Sequence, residues 1–455
     1  MSRAIFFMSA CLLSFVYGLA TIQFQIFPYQ IIREAKNGFE ALKLLEDDTH
    51  LVTIKRFDAS ATAKPEVRQL SENAGAERLL VTGGFYQYME ECPRFGCLAW
   101  IMKRSGEVLH TWEIDPAVIL EGAEGFEGDL TPMNVYPIGL SLAKDGRLTV
   151  TFHGRNIFPY TVGIAQFSPT GELLWRRFDR SHHWIDTASD GHIAAPSARY
   201  IKMPEFAEDT LIPNRCHTGV IDDEGVRLYS ADGKVEKEFW IAESFAKSSW
   251  PGLLYAVRNG CDPHHLNSVA IVEPSLADRL NGVDAGDLLV SVREPSVVAI
   301  LDGDDGTVKR LVAGRTAAQH GPQFLPDGSV VVFDNLGGKR DQGGTRIVRL
   351  DLENGTAETV FPRESGKQSG LPFQSDDGGH LSVSPDGKRL MIASKHQSHI
   401  FEVEIATGDI LWEMDHCMDM SAYLEKFDLE AEASNACFRT YGAYYLEDSP
   451  FHMVH

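Results

Sequence analysis

One pattern recurs six times along the chain and leaves few folds open to it. A short apolar strand runs into a turn ending in glycine, and a second strand follows, often closing on tryptophan. The copies read CLAWIMKRSGEVLHTW, GIAQFSPTGELLW, GVRLYSADGKVEKEFW, VVAILDGDDGTVKRL, RIVRLDLENGTAETVF and IFEVEIATGDILW. Their turn glycines are Gly106, Gly171, Gly233, Gly306, Gly355 and Gly408. Apolar alternation on both sides of a turn that demands positive φ marks each copy as a hairpin. A second hairpin signal precedes at least four of them, with Asp-Gly turns at Gly146, Gly191, Gly328 and Gly387. The fourth unit carries HHLNSVAI and AGDLLVSV in its place, with a longer insert before Gly286. Two hairpins make a four-stranded blade, so the repeat predicts an all-β, six-bladed propeller. A sandwich has no need of the same hairpin six times, and no alternating helical pattern supports a parallel α/β sheet.

The N-terminus is of another kind. No charged residue occurs from Ala4 to Ile32, and Ile5 to Ile22 reads IFFMSACLLSFVYGLATI. A run of that length can cross a hydrocarbon core of about 30 Å as a single helix. Arg3 ahead of it favours a cytoplasmic N-terminus. The sequence therefore predicts an inner-membrane anchor over residues 1–32, a juxtamembrane helix over 33–50, and the propeller with a C-terminal closure segment over 51–455 on the periplasmic side. A cleaved signal peptide with Gly18-Leu19-Ala20 as its small-residue site is the rival reading. Further helix is expected only around Met420 to Ala433, and residues near 48–90 are expected to supply the first blade's remaining strands or the ring closure.

Export agrees with the cysteines. Apart from Cys11 in the apolar run there are six: Cys92, Cys97, Cys216, Cys261, Cys417 and Cys437. An oxidising compartment lets such a set pair. Six cysteines allow fifteen connectivities. Proximity suggests Cys92–Cys97 and Cys417–Cys437, which leaves Cys216–Cys261. The net charge of −22 excludes a nucleic-acid partner, because phosphate binding needs a basic face.

Propeller geometry brings the first residues of the innermost strands together at the central channel. His320 lies eight residues before Gly328, His183 eight before Gly191, and His265 opens the equivalent strand of the fourth unit. His380 lies seven before Gly387. His182 and His264 complete two His-His pairs, and strand alternation turns them away from the channel. Convergent imidazoles suit a three-histidine metal site. They equally suit covalent catalysis, with one neutral imidazole as nucleophile and the others serving an anionic group. Arg293 in LLVSVREP and Asn267, on the same strand face as His265, favour an oxyanion-transfer site, since a guanidinium repels a metal and binds sulfate or phosphate oxygens. On this reading no metal and no cofactor is assigned.

The run HHLNSVAI, LLVSVR, VVAILD and AQHGPQFLPDGSVVVFDN resembles bacterial arylsulfate sulfotransferases of the PAPS-independent kind. HHWIDTASDGHI and IFEVEIATGDILWEM are similar to other blades of that family. The resemblance covers most of residues 90–415 and implies a periplasmic enzyme that moves a sulfuryl group from an aryl sulfate to a phenolic or other hydroxyl acceptor. It implies a transient sulfohistidine on His320, with His265 and Arg293 also catalytic. It implies sulfuryl or substrate binding by His183, Asn267, Asn335 of the Phe-Asp-Asn run, and His380. The insert EPSLADRLNGVDA separates His265 from Arg293 and bears on whether the two meet. The expected partners are small-molecule donor and acceptor. The alternative is a catalytically inactive propeller serving as a binding or scaffold subunit of a membrane complex.

Overall fold

The computed structural model describes residues 2–24, 27, 54–57, 61, 63–82, 87–128, 130–131, 134–155, 157–202, 216, 220–257, 260–364, 372–426, 428, 430 and 433–446. The chain forms two compact units, Met1–Val52 and Thr53–His455. In the first, the described residues include one helix, Ser2–Phe24. Its apolar side chains, among them Phe6, Met8, Leu13 and Phe15, are exposed. Among the described residues, no helix is long and apolar enough to cross a membrane. The helix expected over residues 33–50 lies outside the described residues.

The second unit is a ring of six antiparallel sheets. Blade 2 runs through Val135–Leu142, Leu148–Gly154, Thr161–Phe167 and Leu173–Arg177. Blade 3 has Asp186–Thr187, Ile193–Lys202, Val220–Tyr229 and Val235–Trp240. Blade 4 has Leu266–Ile271, Leu288–Val292, Val297–Leu301 and Val308–Ala313. Blade 5 has His320–Phe324, Val330–Asp334, Arg346–Asp351 and Thr356–Phe361. Blade 6 has His380–Val383, Arg389–Ser394, His399–Glu404 and Ile410–Asp415, with Glu66–Gln69 added along its outer edge.

Blade 1 is composite. Arg78–Thr82, Cys92–Met102 and Val108–Glu113 come from the start of the unit, while its innermost strand, Gly442–Leu446, comes from the end. The register Gly442↔Thr82 through Leu446↔Arg78 closes the ring by strand pairing. Closure of this kind leaves no long unpaired edge. Beside it, Ile54–Phe57, Asn435–Phe438 and Cys417–Asp419 form a three-stranded sheet. The helix expected near Met420 is Ser421–Lys426.

The cores lie between blades, so strands bury both faces. Leu79 and Val81 pack with Met391, Ile400 and Trp412 of blade 6, while Leu80 between them packs with Leu140, Val150 and Phe152 of blade 2. Successive side chains of a strand point to opposite faces. Two-sided burial explains the unbroken apolar runs LLVSV and VVAIL, whose residues are all sealed. The repeat's tryptophans tie neighbours together. Trp112 Nε1 donates to Ser168 O of blade 2 at 3.1 Å, and Trp412 Nε1 donates to Arg104 O of blade 1 at 2.9 Å. The turn glycine serves the same contact: at Gly233, with φ 78°, an added Cβ would sit 2.4 Å from the Trp175 ring.

The disulfides are Cys92–Cys97, Cys216–Cys261 and Cys417–Cys437, the pairing that proximity in sequence suggests. Cys11 is free.

Ala443 sits in the closing strand with no exposed surface. A carboxylate there would be buried without a partner. Ala443→Asp is expected to destabilise the ring by roughly 3 kcal/mol or more, read as a lowered midpoint of denaturant unfolding. An unchanged midpoint would mean that the ring holds without this strand.

Candidate active site

Four histidines lie where four chain segments enter the inner strands of the channel. His320 and His380 are the first residues of theirs, and His265 immediately precedes Leu266–Ile271. His183 precedes Asp186–Thr187. His183 and His265 adopt left-handed backbone, φ 53° and 49°. That conformation is uncommon for a side chain with a Cβ and is retained where the surroundings over-determine it. At His183 the surroundings are explicit: Thr151 Oγ1 donates to its carbonyl at 2.7 Å, and Gly139 leaves the space, since a Cβ there would lie 2.0 Å from that oxygen.

Hydrogen bonding fixes the tautomer of His320. Asn335 Nδ2 donates to Ser375 O and Gly378 O, both at 2.6 Å, so its Oδ1 turns to His320 Nδ1 at 2.7 Å and accepts. The proton therefore resides on Nδ1, and the Nε2 lone pair is free. Burial pushes this imidazole down to about 3, with the Asn335 bond opposing and the His265 and Arg293 charges adding to the shift. It is neutral at ordinary pH.

His265 is set the opposite way. Burial lowers its pKa, but the charge and hydrogen bond of Asp262, joined by the charge of Glu224, outweigh burial and raise it. Asp262 Oδ2 holds Nδ1, and Asp262 Oδ1 accepts from the His265 backbone N–H at 2.9 Å. Asp262 follows Cys261 directly, so the Cys216–Cys261 disulfide anchors the segment that presents both residues.

The blade 4 insert does not separate Arg293 from this group. Leu266↔Val292 and Ile271↔Leu288 pair across the hairpin, which places the insert at the far end of both strands. Arg293 N donates to His265 O at 3.1 Å. Its Nη1 donates to Glu294 Oε1 at 2.9 Å, while its buried Nε has no partner among the described residues. Asn267 is sealed, and its Nδ2 donates to Gln319 O at 2.8 Å, bracing the residue before His320.

Trp184, which the repeat gives no reason to single out, occupies the centre. The segment entering blade 3 bonds onto blade 4, with Trp184 N to Asn267 O at 3.3 Å and Val269 N to Trp184 O at 3.2 Å. The indole meets His320 edge to face at 5.5 Å and stacks on His380 at 6.2 Å, and its Nε1 donates to Tyr441 O at 3.2 Å. Further along the inner strands a cavity of about 230 Å³ is lined by Trp184, Ser268, Gly321, His380 and Tyr444. His380 thus faces the channel interior and packs on Tyr444 at 4.1 Å, apart from the His183–His265 pair, whose rings are 5.2 Å apart. A larger cavity, about 470 Å³, lies between blades 3 and 4 away from the histidines and is lined by Asp190, Glu236, Asp284 and Lys309.

Behind His183 stand two further imidazoles. His182 Nδ1 is 2.6 Å from His183 Nδ1, and the His153 ring is 4.7 Å from that of His183. One ring nitrogen from each of His153, His182 and His183 lies within 4.8 Å of the others, a spacing open to a metal ion. His264 turns into the blade wall against Phe245. His153 and Asp262 carry no repeat signature; Asp262 is legible only as a carboxylate three residues from a histidine.

A group whose folded pKa is raised adds stability below its unfolded pKa, and that stability is lost as pH rises through the folded value. The His265–Asp262 pair follows this sign. Asp262→Asn leaves burial unopposed by that carboxylate, so the His265 midpoint is expected to drop relative to wild type, read by NMR of 13C-labelled histidine. A midpoint that stays raised would assign the effect to other groups.

Residues 237–417, less than half of the chain, match the family model described as Arylsulfotransferase (ASST). No curated protein matches. Solved structures similar to the chain include a protein of unknown function from Bacteroides caccae, at 12% identity over 74% of this chain and 93% of that one, TM-score 0.43. Virginiamycin B lyase from Staphylococcus aureus aligns at 13% identity over 61% and 69%, TM-score 0.35. Kuenenia stuttgartiensis hydrazine synthase aligns at 12% over 71% and 77%, TM-score 0.39. The matched stretch contains His265, Asn267, Arg293, His320, Asn335 and His380, and it is this part of the chain that is similar to the arylsulfotransferase family.

Proposed function

We propose that the protein is an exported sulfotransferase that moves a sulfuryl group from an aryl sulfate ester to a phenolic or other hydroxyl acceptor through a sulfohistidine on His320. The family match supports sulfotransferase activity in general. The observation that carries the finer reading is the commitment of Asn335, whose two donated bonds leave its oxygen to hold the His320 Nδ1 proton. A neutral imidazole with its Nε2 lone pair free is the form a nucleophile requires.

In the first half-reaction Nε2 attacks sulfur in line with the departing aryl oxygen. The N–S bond forms as the S–O bond breaks, and the aryl oxide takes the proton of His265, which Asp262 keeps protonated to higher pH. Arg293 and His183 donate to the sulfuryl oxygens; the unpartnered Arg293 Nε is available for this. In the second half-reaction the acceptor oxygen attacks sulfur, the N–S electron pair returns to Nε2, and the acceptor proton passes to His265. Asn267 braces His320 through Gln319, and His380 with Trp184 forms the floor. The reaction needs no cofactor.

On the same reading the uncharged run from Ala4 to Ile32, which extends beyond the described helix, holds the enzyme at the inner membrane with the propeller on the periplasmic side. Three disulfides support export, since such bonds persist in oxidising compartments. The uncharged run behind Arg3 supports the orientation. Alkaline carbonate washing of membranes is expected to leave the protein in the pellet; release would remove the anchor from the proposal.

A chromogenic aryl sulfate is expected to give a burst of phenol and a mass gain of one sulfuryl group on the peptide containing His320. His320→Ala is expected to lower turnover by at least about a thousandfold and to abolish the mass gain. Wild-type protein that releases no phenol and co-purifies in fixed ratio with a partner would make the chain a binding subunit instead.

A further inference from the structure

His153 and His182 stand behind His183, sulfuryl transfer uses neither, and with His183 they form a candidate ligand set. His153 belongs to the second strand of blade 2, and His182 and His183 lie on the segment entering blade 3, so two blades supply it. All three are sealed, at 5%, 0% and 8% exposure. His153 Nε2 has no hydrogen-bond partner among the described residues. A buried imidazole nitrogen without a partner forfeits the hydration it had in water, and native structures seldom leave one so.

The pair in front of it has an equivalent surplus. His182 Nδ1 and His183 Nδ1 face one another at 2.6 Å, two lone pairs competing for one proton. The opposite nitrogen of His182 is 3.0 Å from Glu224 Oε2, close but outside hydrogen-bond geometry. A carboxylate behind an imidazole whose other nitrogen points into a shared centre is the arrangement that orients metal-binding histidines. Glu224 is itself buried, at 1% exposure, and interacts with the charges of Asp262 and Asp223. Burial, with the Asp262 charge, pushes the Glu224 carboxyl well above its usual range, and a cation held by the trio would favour its ionised form.

We propose that His153, His182 and His183 bind one divalent cation of the zinc class through imidazole nitrogens. Zinc–nitrogen bonds of about 2.0–2.1 Å with tetrahedral angles set ligand nitrogens roughly 3.3 Å apart. The 2.6 Å pair must open by a few tenths of an ångström on each side and His153 must close in, small ring movements for nitrogens already within 4.8 Å. Three protein ligands leave a fourth position for water. If the sulfuryl-transfer reading holds, the ion has one more consequence, which rests on that reading. Occupying His183 Nδ1 fixes the proton on Nε2 and makes that atom a permanent donor to the sulfuryl oxygens.

The test uses full-length, tag-free protein purified in chelator-free buffer, dialysed against Zn2+ or Co2+ and then against buffer alone. About one ion per chain is expected by mass spectrometry of the metal, with the visible absorption of four-coordinate Co2+. His153→Gln is expected to lose the ion, and Glu224→Gln to weaken Zn2+ binding by about 10–100-fold. Near-UV circular dichroism confirms that each variant is folded, and for one that is not, the metal content of wild-type protein decides. His320→Ala is expected to keep the ion while losing the sulfuryl mass gain, which separates this site from the transfer reaction. Wild-type protein that retains no ion after loading, or folded His153→Gln that retains as much as wild type, would overturn the proposal. Wild-type protein that retains no ion after loading yet forms sulfohistidine would overturn it and leave the transfer reading standing. Stoichiometric ion without sulfohistidine would do the reverse.

Discussion

The pairing of Gly442–Leu446 with Arg78–Thr82 is the interaction on which the geometry of the propeller rests. Each blade buries both faces against its neighbours, so a blade at an open end would expose a full apolar wall. Completing blade 1 with a strand from the far end of the chain removes that wall. Once the ring is closed its radius is set by the packing between blades, and the starts of the inner strands have nowhere to go but toward one another. His183, His265 and His320 meet because of that closure; nothing in their local sequence requires it.

Burial then decides what the converging groups can do. Imidazoles of the same intrinsic basicity are driven apart by their immediate partners. His320, with a neutral amide at Nδ1, stays uncharged. His265, with the Asp262 carboxylate at Nδ1, holds its proton more firmly than in water. Groups pushed in opposite directions a short distance apart make a nucleophile and an acid available at one pH. Charged neighbours differ around the mouth. Arg293 and Lys395 act on His320, whereas Asp222, Glu224 and Asp262 form a buried acidic group on the blade 3 side, with Asp222 pushed up to about 8 by burial and its carboxylate neighbours. Burial holds Asp222 and Glu224 against ionisation, and Asp262, paired with His265, is shifted the other way.

Trp184 gives the mouth its floor. Its position follows from a departure from ideal blade construction: the short first strand of blade 3 hands its entering segment to blade 4, with a parallel bridge between Trp184 and Ser268. The indole fills the axis that a regular strand would leave open.

The sixfold hairpin was sufficient by itself to specify an all-β propeller, because turn glycines and two-sided apolar strands are local requirements of a blade. The cysteine pairing was legible for a similar reason: two of the three partners are close in sequence. Spacing from the turn glycines picked out His183, His320 and His380, and it placed the first two at one end of the channel. It could not show that His380 packs beneath an indole, that Asn267 braces a backbone carbonyl, or that Asn335 sets a tautomer. Those outcomes depend on which neighbour fills each space. His153, Asp262 and Glu224 were invisible for the same reason, since a buried residue's partner is chosen by packing between blades and leaves no period in the chain. Sequence determined the blades and the residues at their inner ends; the closed ring decided which of those residues touch, which are neutral, and which keep a proton.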